Sequence, residues 1–299
     1  MNPAAATGSP SPRPAIVLVH YGSPEMTRRC LECLVQVEGP DHWAVVVDHG
    51  PDPGLEQALA GAHPSLHVLT DHRNPGFGAG CNRGASHAFS ALGASLVWFL
   101  NNDALLEAPI LPTLRPLVEE HPDVALWATH QINGTRHEGT YVHQGWYRRG
   151  LRTCEYSAPP GCKVLGPSES LGGASLMVTR RSWERLGPWP EQFFLYWEDV
   201  AWSRRAHELG LPLVLMDASV LHLSSRTIGR RSRLQVFYNA RNRLLLRHQI
   251  RPDARMARFF FGLYLVQKRI FQGRWDLLRT AWDGVRAGWR NEQGRDPRY

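Results

Sequence analysis

At 299 residues, the chain has room for one large α/β domain with an appendage, or for two small domains. Hydrophobic residues make up 43%, enough for a sizeable core, which excludes global disorder. The net charge of +7 is uneven: residues 1–225 carry 16 Lys and Arg against 22 Asp and Glu, a net of −6, whereas residues 226–299 carry 18 against 5, a net of +13. Such a basic tail suits an anionic partner: a diphosphate, a membrane surface or nucleic acid. The apolar run at 259–266 is too short to cross a bilayer. Residues 1–14, rich in Ala, Ser and Pro, lack the basic start and apolar stretch of a signal peptide and are expected to be disordered. The expectation is a cytoplasmic protein, soluble or held at the inner face of the membrane.

In chain order, Ala15–Val19 is a β-rich run ending in a polar loop, and Met26–Val37 has a helical pattern. Trp43–Val47 is a second buried strand, closed by Asp48-His49-Gly50-Pro51, and Leu66–Leu69 a third, followed by a Gly-rich stretch that opens a helix near Ala79–Leu92. A fourth strand, Leu96–Leu100, ends in Asn101-Asn102-Asp103; a helix (Ile110–Glu120) and a strand (Val124–Thr129) follow. Alternating strands and helices predict a parallel sheet, whose ligands sit at the carboxyl ends of the strands. Asp48 and Asp103 both fall there. From His130 to Ser168 the periodicity gives way to Gly, Tyr, Trp and Arg, read as hairpins and loops over one rim that select the acceptor. Gly173–Val178 is a strand, Arg181–Leu186 a helix, and a further helix runs from Glu198 to Leu209 and stops at Gly210. Strand runs Leu213–Met216 and Ser219–Leu223 carry His222, and the chain beyond Arg233 reads as helical. There are no internal repeats.

Five cysteines (Cys30, Cys33, Cys81, Cys154, Cys162) form no paired framework. Cys30 and Cys33 make a C-x-x-C, but no second such pair supplies further metal ligands. Their helical phase with Met26, Leu34 and Val37 marks them as buried thiols.

Three segments carry candidate chemistry. The Gly-rich stretch 74–84 contains G-x-G-x-x-x-G, near a dinucleotide fingerprint, yet it follows the third strand and lacks the usual ribose-binding acid. Tight helix packing is the alternative; Asn74, Asn82 and Arg83 favour a nucleotide-facing loop. Asp103, directly after a buried strand, can hold Mg²⁺ or Mn²⁺ that bridges a diphosphate, or can make an Asx turn or helix cap. Glu198-Asp199 read alone is a helix cap, and His222 alone a core histidine.

In order, Ile16-Val17-Leu18-Val19-His20-Tyr21, Val45-Val46-Val47-Asp48, Asn74-x-Gly76-Phe77-Gly78-x-Gly80-x-Asn82-x-Gly84, Leu100-Asn101-Asn102-Asp103, Gly172-Gly173-Ala174-Ser175-Leu176-Met177 and Phe193-Phe194-Leu195-Tyr196-Trp197-Glu198-Asp199 resemble the family 2 glycosyltransferases, particularly rhamnosyltransferase-like members. His222 and Tyr238-Asn239-Ala240-Arg241-Asn242 also look like family elements. The resemblance covers roughly residues 15–245. It implies a GT-A fold, a Rossmann-like α/β nucleotide-binding sheet with a smaller acceptor-side region: a donor half at 15–129, an acceptor half at 130–245, and basic amphipathic helices at 246–299. It implies an inverting transfer of a sugar from a nucleotide-diphosphate donor, with dTDP-rhamnose or a UDP-sugar foremost. The acceptor is a glycan, a lipid-linked intermediate or a small molecule. Asp48 matches the acid that contacts base or ribose, and His20, Asn74, Gly76, Asn82 and Asn102 fall on the donor nucleotide side. Asp103 matches the last residue of the D-x-D metal motif, whose first position is Asn101 here, leaving one fewer charged ligand. His222 matches the histidine that completes the Mn²⁺ or Mg²⁺ site. Asp199 matches the catalytic base, with Glu198 beside it.

The chemistry agrees. Breaking a sugar–diphosphate bond builds negative charge that a divalent cation stabilises, and mixed carboxylate and imidazole ligation suits Mn²⁺, with Mg²⁺ as substitute. The acceptor hydroxyl must lose a proton as it attacks, which a carboxylate can accept; a helix N-terminus should favour ionised Asp199. Trp146, Tyr196, Trp197 and Trp202 could wall a sugar ring or pack in the core. Arg226, Arg230 and Arg231, in a loop after His222, could close over the diphosphate. Phe271, Trp275, Leu278, Trp282, Val285 and Trp289 form one helical stripe, weakened by Gly273, Gly284 and Gly288. It docks on the catalytic domain or a second subunit, or meets a membrane.

Two other classes fit less. A sugar nucleotidyltransferase should have a basic Gly-rich loop after its first strand, where this chain has Tyr21-Gly22-Ser23-Pro24-Glu25. A nucleic-acid-binding module would use the basic tail but leaves Asp48, Asp103 and Asp199 unexplained.

Overall fold

A computed structural model describes residues 13–51, 53–133, 140–141, 143–147, 153–156, 162–222 and 232–299, with the side chains of 133–161 outside the description. The first half comprises β1 (Ala15–His20), α1 (Pro24–Glu38), β2 (Trp43–Asp48), α2 (Leu55–Ala58), β3 (Leu66–Thr70), α3 (Phe77–Ser90) and β4 (Leu96–Leu100). Then come β5 (Ala104–Leu106), α4 (Leu111–Glu120), β6 (Leu126–Asn133), β7 (Thr140–Tyr141), β8 (His143–Tyr147), β9 (Thr153–Tyr156) and β10 (Lys163–Val164). The chain closes with β11 (Ser175–Thr179), α5 (Arg180–Leu186), α6 (Glu198–Glu208), β12 (Leu213–His222), α7 (Arg233–Ile250), α8 (Arg255–Phe271) and α9 (Leu278–Trp289).

One sheet runs β10-β12-β6-β11-β4-β1-β2-β3, with β5 on β12 and β7 on β6. Strands β4, β1, β2 and β3 are parallel, as alternation with helices predicts. Both faces of β1, β2 and β4 are covered, so these strands are apolar up to their carboxyl ends. Ala15 and Val17 pack towards α3, and Ile16 and Leu18 towards α1 and α4. Helix α3 lies close on β1 because a Cβ at Gly84 would come within 2.3 Å of Val17 Cγ1.

The parallel set expected over residues 15–129 is interrupted by one strand from the second half. Strand β11 enters antiparallel between β4 and β6. It is reached through the excursion over 134–174 rather than through a crossover helix, so its direction is not constrained to match β4. The two strand runs expected at 213–216 and 219–223 are one strand, β12, with a bulge between Met216 and Ser219. Such an extra residue re-aims the strand end that carries His222. Strands β8 and β9 form a separate antiparallel pair, in keeping with the hairpins expected over 130–168.

The single helical stripe expected near the C-terminus is also corrected. Gly273, at φ +65°, ends α8, so Phe271 and Trp275 leave the line of α9. Gly284 and Gly288 are contact points instead: a Cβ on Gly284 would meet the Phe237 carbonyl oxygen at 2.5 Å, and one on Gly288 would meet Leu244 Cβ at 2.7 Å. Helix α9 thus docks on α7, and Val285 is fully buried between them and α8. The boundary expected at residue 245 falls inside α7, which belongs to both regions.

Gly→Ala in a free helix gains about 1 kcal/mol of propensity, whereas overpacking costs about 1–3 kcal/mol. With backbone at 2.5 Å the second effect wins. Gly284→Ala is therefore expected to lower the melting temperature by a few degrees; calorimetry showing an unchanged or raised value would contradict the α7–α9 contact.

Candidate active site

The carboxyl ends of β1, β2 and β4 converge. His20 and Asp48 are register partners at the ends of β1 and β2. Thr27, fully buried on α1, joins two of the expected donor-side residues: its hydroxyl lies 2.7 Å from His20 Nδ1 and accepts from Asn102 Nδ2 at 2.9 Å. Burial lowers the His20 pKa, so the ring is neutral at pH 7. Asp48 Oδ1 accepts from the Gly50 amide at 2.8 Å. Asp48 also lines an open cleft of about 530 Å³ with Gly54, Leu55, Gln57, Thr70 and His72. His72 Nδ1 is 2.6 Å from the Gly50 carbonyl, which closes the loop at the cleft's edge.

At the next strand end, His222 Nε2 lies 3.2 Å from Asp103 Oδ1 and 3.0 Å from the Asn101 side-chain amide. Strand β12 supplies the histidine and β4 the Asn-x-Asp, though the two strands are not neighbours in the sheet. The link is β5, which pairs His222 with Ala104. The Cys30 thiol approaches the Asn101 carbonyl at 3.8 Å, and burial pushes its pKa up, so it is a packed thiol. Among the described residues, Asp103 and His222 are not part of any group of three or more His, Cys, Asp or Glu side chains able to hold a metal. The pair fits a divalent cation only as part of a shell completed by other oxygens, as is usual for ions that bridge to phosphates.

The third component is the turn before α6. Asp199, the second residue of α6, accepts from Gly173 N at 3.0 Å and from Val200 N at 2.8 Å. The next residue, Ala174, accepts at its carbonyl from Asn101 N at 2.9 Å. Asp199 and the Asn101–Asp103 segment are therefore held two residues apart along one backbone path. The expectation that a helix terminus favours the ionised form is corrected here. Burial raises the Asp199 pKa despite both amides, because the dipole contributes only about 0.3–1 kcal/mol, up to about 2 kcal/mol when partly buried, against a larger desolvation cost. Glu198 is also buried; desolvation first, then the Asp199 charge, push it up to about 8, and its Oε2 has no hydrogen-bond partner.

The backbone leading to this pair is strained. Phe194, Tyr196 and Trp197 have φ of +62°, +69° and +78°. Asn242 on α7 holds the turn: its Nδ2 is 2.9 Å from the Phe193 carbonyl and 2.8 Å from those of Leu195 and Tyr196. Arg241 adds a bond to the Phe193 carbonyl at 2.8 Å and one to Asn242 Oδ1 at 2.9 Å. Trp197 Nε1 donates to Asn239 Oδ1 at 2.9 Å. Sequence reading noted Tyr238–Asn242 without a role; the role is this clamp.

Several expected site residues lie elsewhere. The Asn82 side-chain amide is engaged within the protein, bonded to Trp189 N at 2.8 Å, Trp189 O at 3.0 Å and Glu191 Oε1 at 2.7 Å. Gly76 lies under the turn before α6, where a Cβ would come within 2.4 Å of the Phe194 carbonyl. Asn74 sits half-buried at φ +47°, its amide on the Asp71 carbonyl at 3.1 Å. Trp202 is core, stacked on Trp189 with ring centroids 4.5 Å apart. Tyr196 and Trp197 remain half-buried beside the turn, Trp197 packing on Arg243 at 5.0 Å. Arg226, Arg230 and Arg231 lie outside the described residues, and so does the Trp146 side chain. Sequence reading missed Asp71, which ends the loop after β3 and pairs with Arg73 at 2.8 Å and Arg83 at 3.3 Å. The hydrogen bond from Arg73 holds its carboxyl down at about 2. The rule that singled out Asp48, an acid just past a buried strand, applies to Asp71 equally.

A sheet of this order, with acids at the ends of parallel strands and an antiparallel β11 carrying the approach to the second carboxylate, defines a GT-A type nucleotide-binding fold. A mannosyltransferase from Pyrobaculum calidifontis, solved with GDP-mannose and Mn²⁺, superposes with a TM-score of 0.55 at 15% identity, covering 92% of this chain and 74% of that one. S. aureus TarS residues 1–349 superpose at 0.53 and 15% identity, covering 92% of each. In sequence, the chain is 25% identical to an N-acetylglucosaminyl-diphospho-decaprenol L-rhamnosyltransferase of Mycobacterium tuberculosis, over 73% of this chain and 78% of the relative. It is 22% identical to the low-salt glycan biosynthesis hexosyltransferase Agl10 of Haloferax volcanii, over 95% and 93%. The glycosyl transferase family 2 model matches residues 15–173, more than half of the chain, and the chain belongs to that family. It is a glycosyltransferase.

Two expectations follow. Removing the Asn242 amide leaves the Leu195 and Tyr196 carbonyls without this donor, at about 1–3 kcal/mol per buried unpaired group, while the Phe193 carbonyl keeps Arg241. Asn242→Ala should lower kcat at least tenfold while donor affinity holds, read by steady-state kinetics beside nucleotide titration; lost donor binding alone would refute the clamp. The second concerns pH. A carboxyl raised above its unfolded value of 4.5 keeps its proton in the folded state while the unfolded chain loses it, so stability falls as pH rises from about 4.5 to about 8. Glu198→Gln should remove that slope, gaining stability over wild type at pH 9 but not at pH 4. Parallel pH–melting curves for the two proteins would contradict it.

Proposed function

We propose that the chain transfers a sugar, with inversion, from a nucleotide-diphosphate donor to an acceptor hydroxyl, with Asp199 as general base. The observation that carries this reading is the backbone path Asp199–Gly173–Ala174–Asn101, which links a half-buried carboxylate to the Asn101–Asp103 segment and His222. Asp48 and the cleft at β2–β3 take the nucleoside, with His20 and Asn102 braced through Thr27. Asp103 and His222 would hold Mn²⁺ or Mg²⁺ together with the donor's diphosphate oxygens; when bound, the cation would neutralise charge building on the leaving group. Their 3.2 Å separation suits adjacent ligands of one cation, about 3 Å apart for bonds of about 2.1 Å.

The acceptor oxygen forms a bond to the anomeric carbon as its proton passes to Asp199. The carbon–phosphate-oxygen bond breaks, and its electron pair leaves with the nucleoside diphosphate. A base whose pKa burial has raised is closer to the working pH, which suits proton transfer. Glu198, kept protonated, leaves the negative charge to Asp199. The relative named as an N-acetylglucosaminyl-diphospho-decaprenol L-rhamnosyltransferase supports rhamnose as the sugar and a lipid-linked glycan as the acceptor. The first donor candidate is dTDP-rhamnose, with UDP-hexoses next.

Asp199→Asn keeps shape and removes the base, so turnover should fall by about 10²–10⁴ with donor affinity little changed. Asp103→Ala should weaken both donor binding and turnover, and EDTA should weaken UDP or dTDP binding by calorimetry. Near-full activity of Asp199→Asn would overturn the base assignment. Equal nucleotide affinity and turnover with and without EDTA would overturn the metal role.

A further inference from the structure

Helix α8 is apolar on two sides. Phe261 and Leu265 face α7 and α9 and are buried. On the opposite side Met256, Phe259, Phe260, Leu263, Ile270 and Phe271 are all exposed, Met256 at 66% and Phe271 at 81%. Their spacing of three and four residues places them in one stripe along the helix. The stripe continues onto α9: Phe259 stacks on Trp289 with centroids 5.1 Å apart, and Trp289 meets the exposed Trp282 edge-on at 5.6 Å. Trp275, 64% exposed, stands between the helices. Phe271, Trp275, Trp282 and Trp289 belong to the stripe expected from sequence as well; Met256, Phe259, Phe260, Leu263 and Ile270 extend it along α8, and of the expected six only Val285 is fully buried.

The rim is basic. Residues 251–290 contain nine Lys and Arg against three Asp, a net of +6. Arg255 lies one turn from Phe259, and Arg279 and Arg286 lie three and four residues either side of Trp282; all three are exposed. A second copy of this chain would bring an identical basic rim against this one, which repels. A lipid surface carrying negative headgroups complements both the apolar stripe and its border. No described helix is long and apolar enough to cross a membrane, so the contact lies in the interfacial plane.

We propose that this face of α8 and α9 docks on an anionic bilayer surface. The docking needs only the fold; its use in presenting a lipid-linked acceptor rests on the transferase reading above. The two are joined through Arg243 of α7, whose guanidinium lies 5.0 Å from the Trp197 ring and 6.0 Å from that of Phe261. One side chain thus couples the residue before Glu198-Asp199 to the inner side of α8.

The test is flotation of the full chain with phosphatidylglycerol-containing vesicles and with phosphatidylcholine vesicles, beside the double variant Phe260→Ser/Phe271→Ser. Both positions are exposed, so the variant should keep its melting temperature and nucleotide affinity. Wild type should float with the anionic vesicles and only weakly with the neutral ones, and the variant should lose at least about tenfold in partition. No flotation, or flotation unchanged in the variant, overturns the proposal. A dimer that the variant splits, seen by light scattering with no vesicle binding, assigns the face to a second copy and overturns it too. Nucleotide affinity, read in the same samples, reports on the transferase site independently.

Discussion

The backbone of residues 193–197 is the constraint on which the site depends. Three non-glycine residues there stand at positive φ, each at a cost of about 1–2 kcal/mol. They persist because the carbonyls among them, of Phe193, Leu195 and Tyr196, meet one buried amide, Asn242, the first of them also a buried guanidinium, Arg241. The same turn receives a hydrogen bond from α3, Phe77 N to the Phe194 carbonyl at 2.8 Å, across a gap that only Gly76 permits. Helix α3, the turn before α6 and helix α7, distant from one another in sequence, therefore form a single body. Where Glu198 and Asp199 sit is decided by this junction and not by the helix they begin.

That placement holds two adjacent acids together, Glu198 buried and Asp199 half-buried. One carboxyl, Asp199, keeps two backbone donors; the other, Glu198, has an oxygen with none. Desolvation then separates their roles, because two charges so close cannot both be carried cheaply. The proton remains on the poorly solvated Glu198, and Asp199, with its amides, is the one left able to accept another.

Much of this was legible in the sequence, and the physical reason is burial on both faces of the sheet. It makes β1, β2 and β4 continuous apolar runs, so their ends, and with them Asp48 and Asp103, stand out. What failed depends on contacts distant in sequence. Asn82 reads as a polar residue beside a Gly-rich loop, and only the fold brings Trp189 and Glu191 to it. Thr27 looks like any polar residue on an amphipathic helix until β1 and β4 bring His20 and Asn102 to its hydroxyl. The direction of β11 has no local signal, because the excursion before it carries no crossover helix. The C-terminal stripe misled because four-and-three spacing continues through Gly273, where the chain turns.

The basic tail shows most plainly how composition and structure divide the evidence. A net of +13 over residues 226–299 reads as one cationic surface, yet a good part of it is neutralised or spent internally. Arg241 is buried, bonded to the Phe193 and Gly294 carbonyls and lying 4.6 Å from the Tyr238 ring. Arg274 and Arg298 pair with Asp276 and Asp296 at 2.9 Å. The last residues fold back on the site: Gly294 N donates to the Gln192 carbonyl at 2.9 Å, Arg295 reaches the Arg73 carbonyl at 3.3 Å, and Tyr299 stacks on Phe237 at 4.4 Å. Charge held in this way braces the catalytic turn and cannot serve as a free field for phosphates. What remains accessible, Arg255, Arg279 and Arg286 among it, borders exposed Phe and Trp side chains rather than forming a polar groove. An apolar stripe edged by cations is suited to a lipid interface, where both parts are satisfied at once, and is poorly suited to a nucleic-acid backbone, which would leave the aromatic stripe in water.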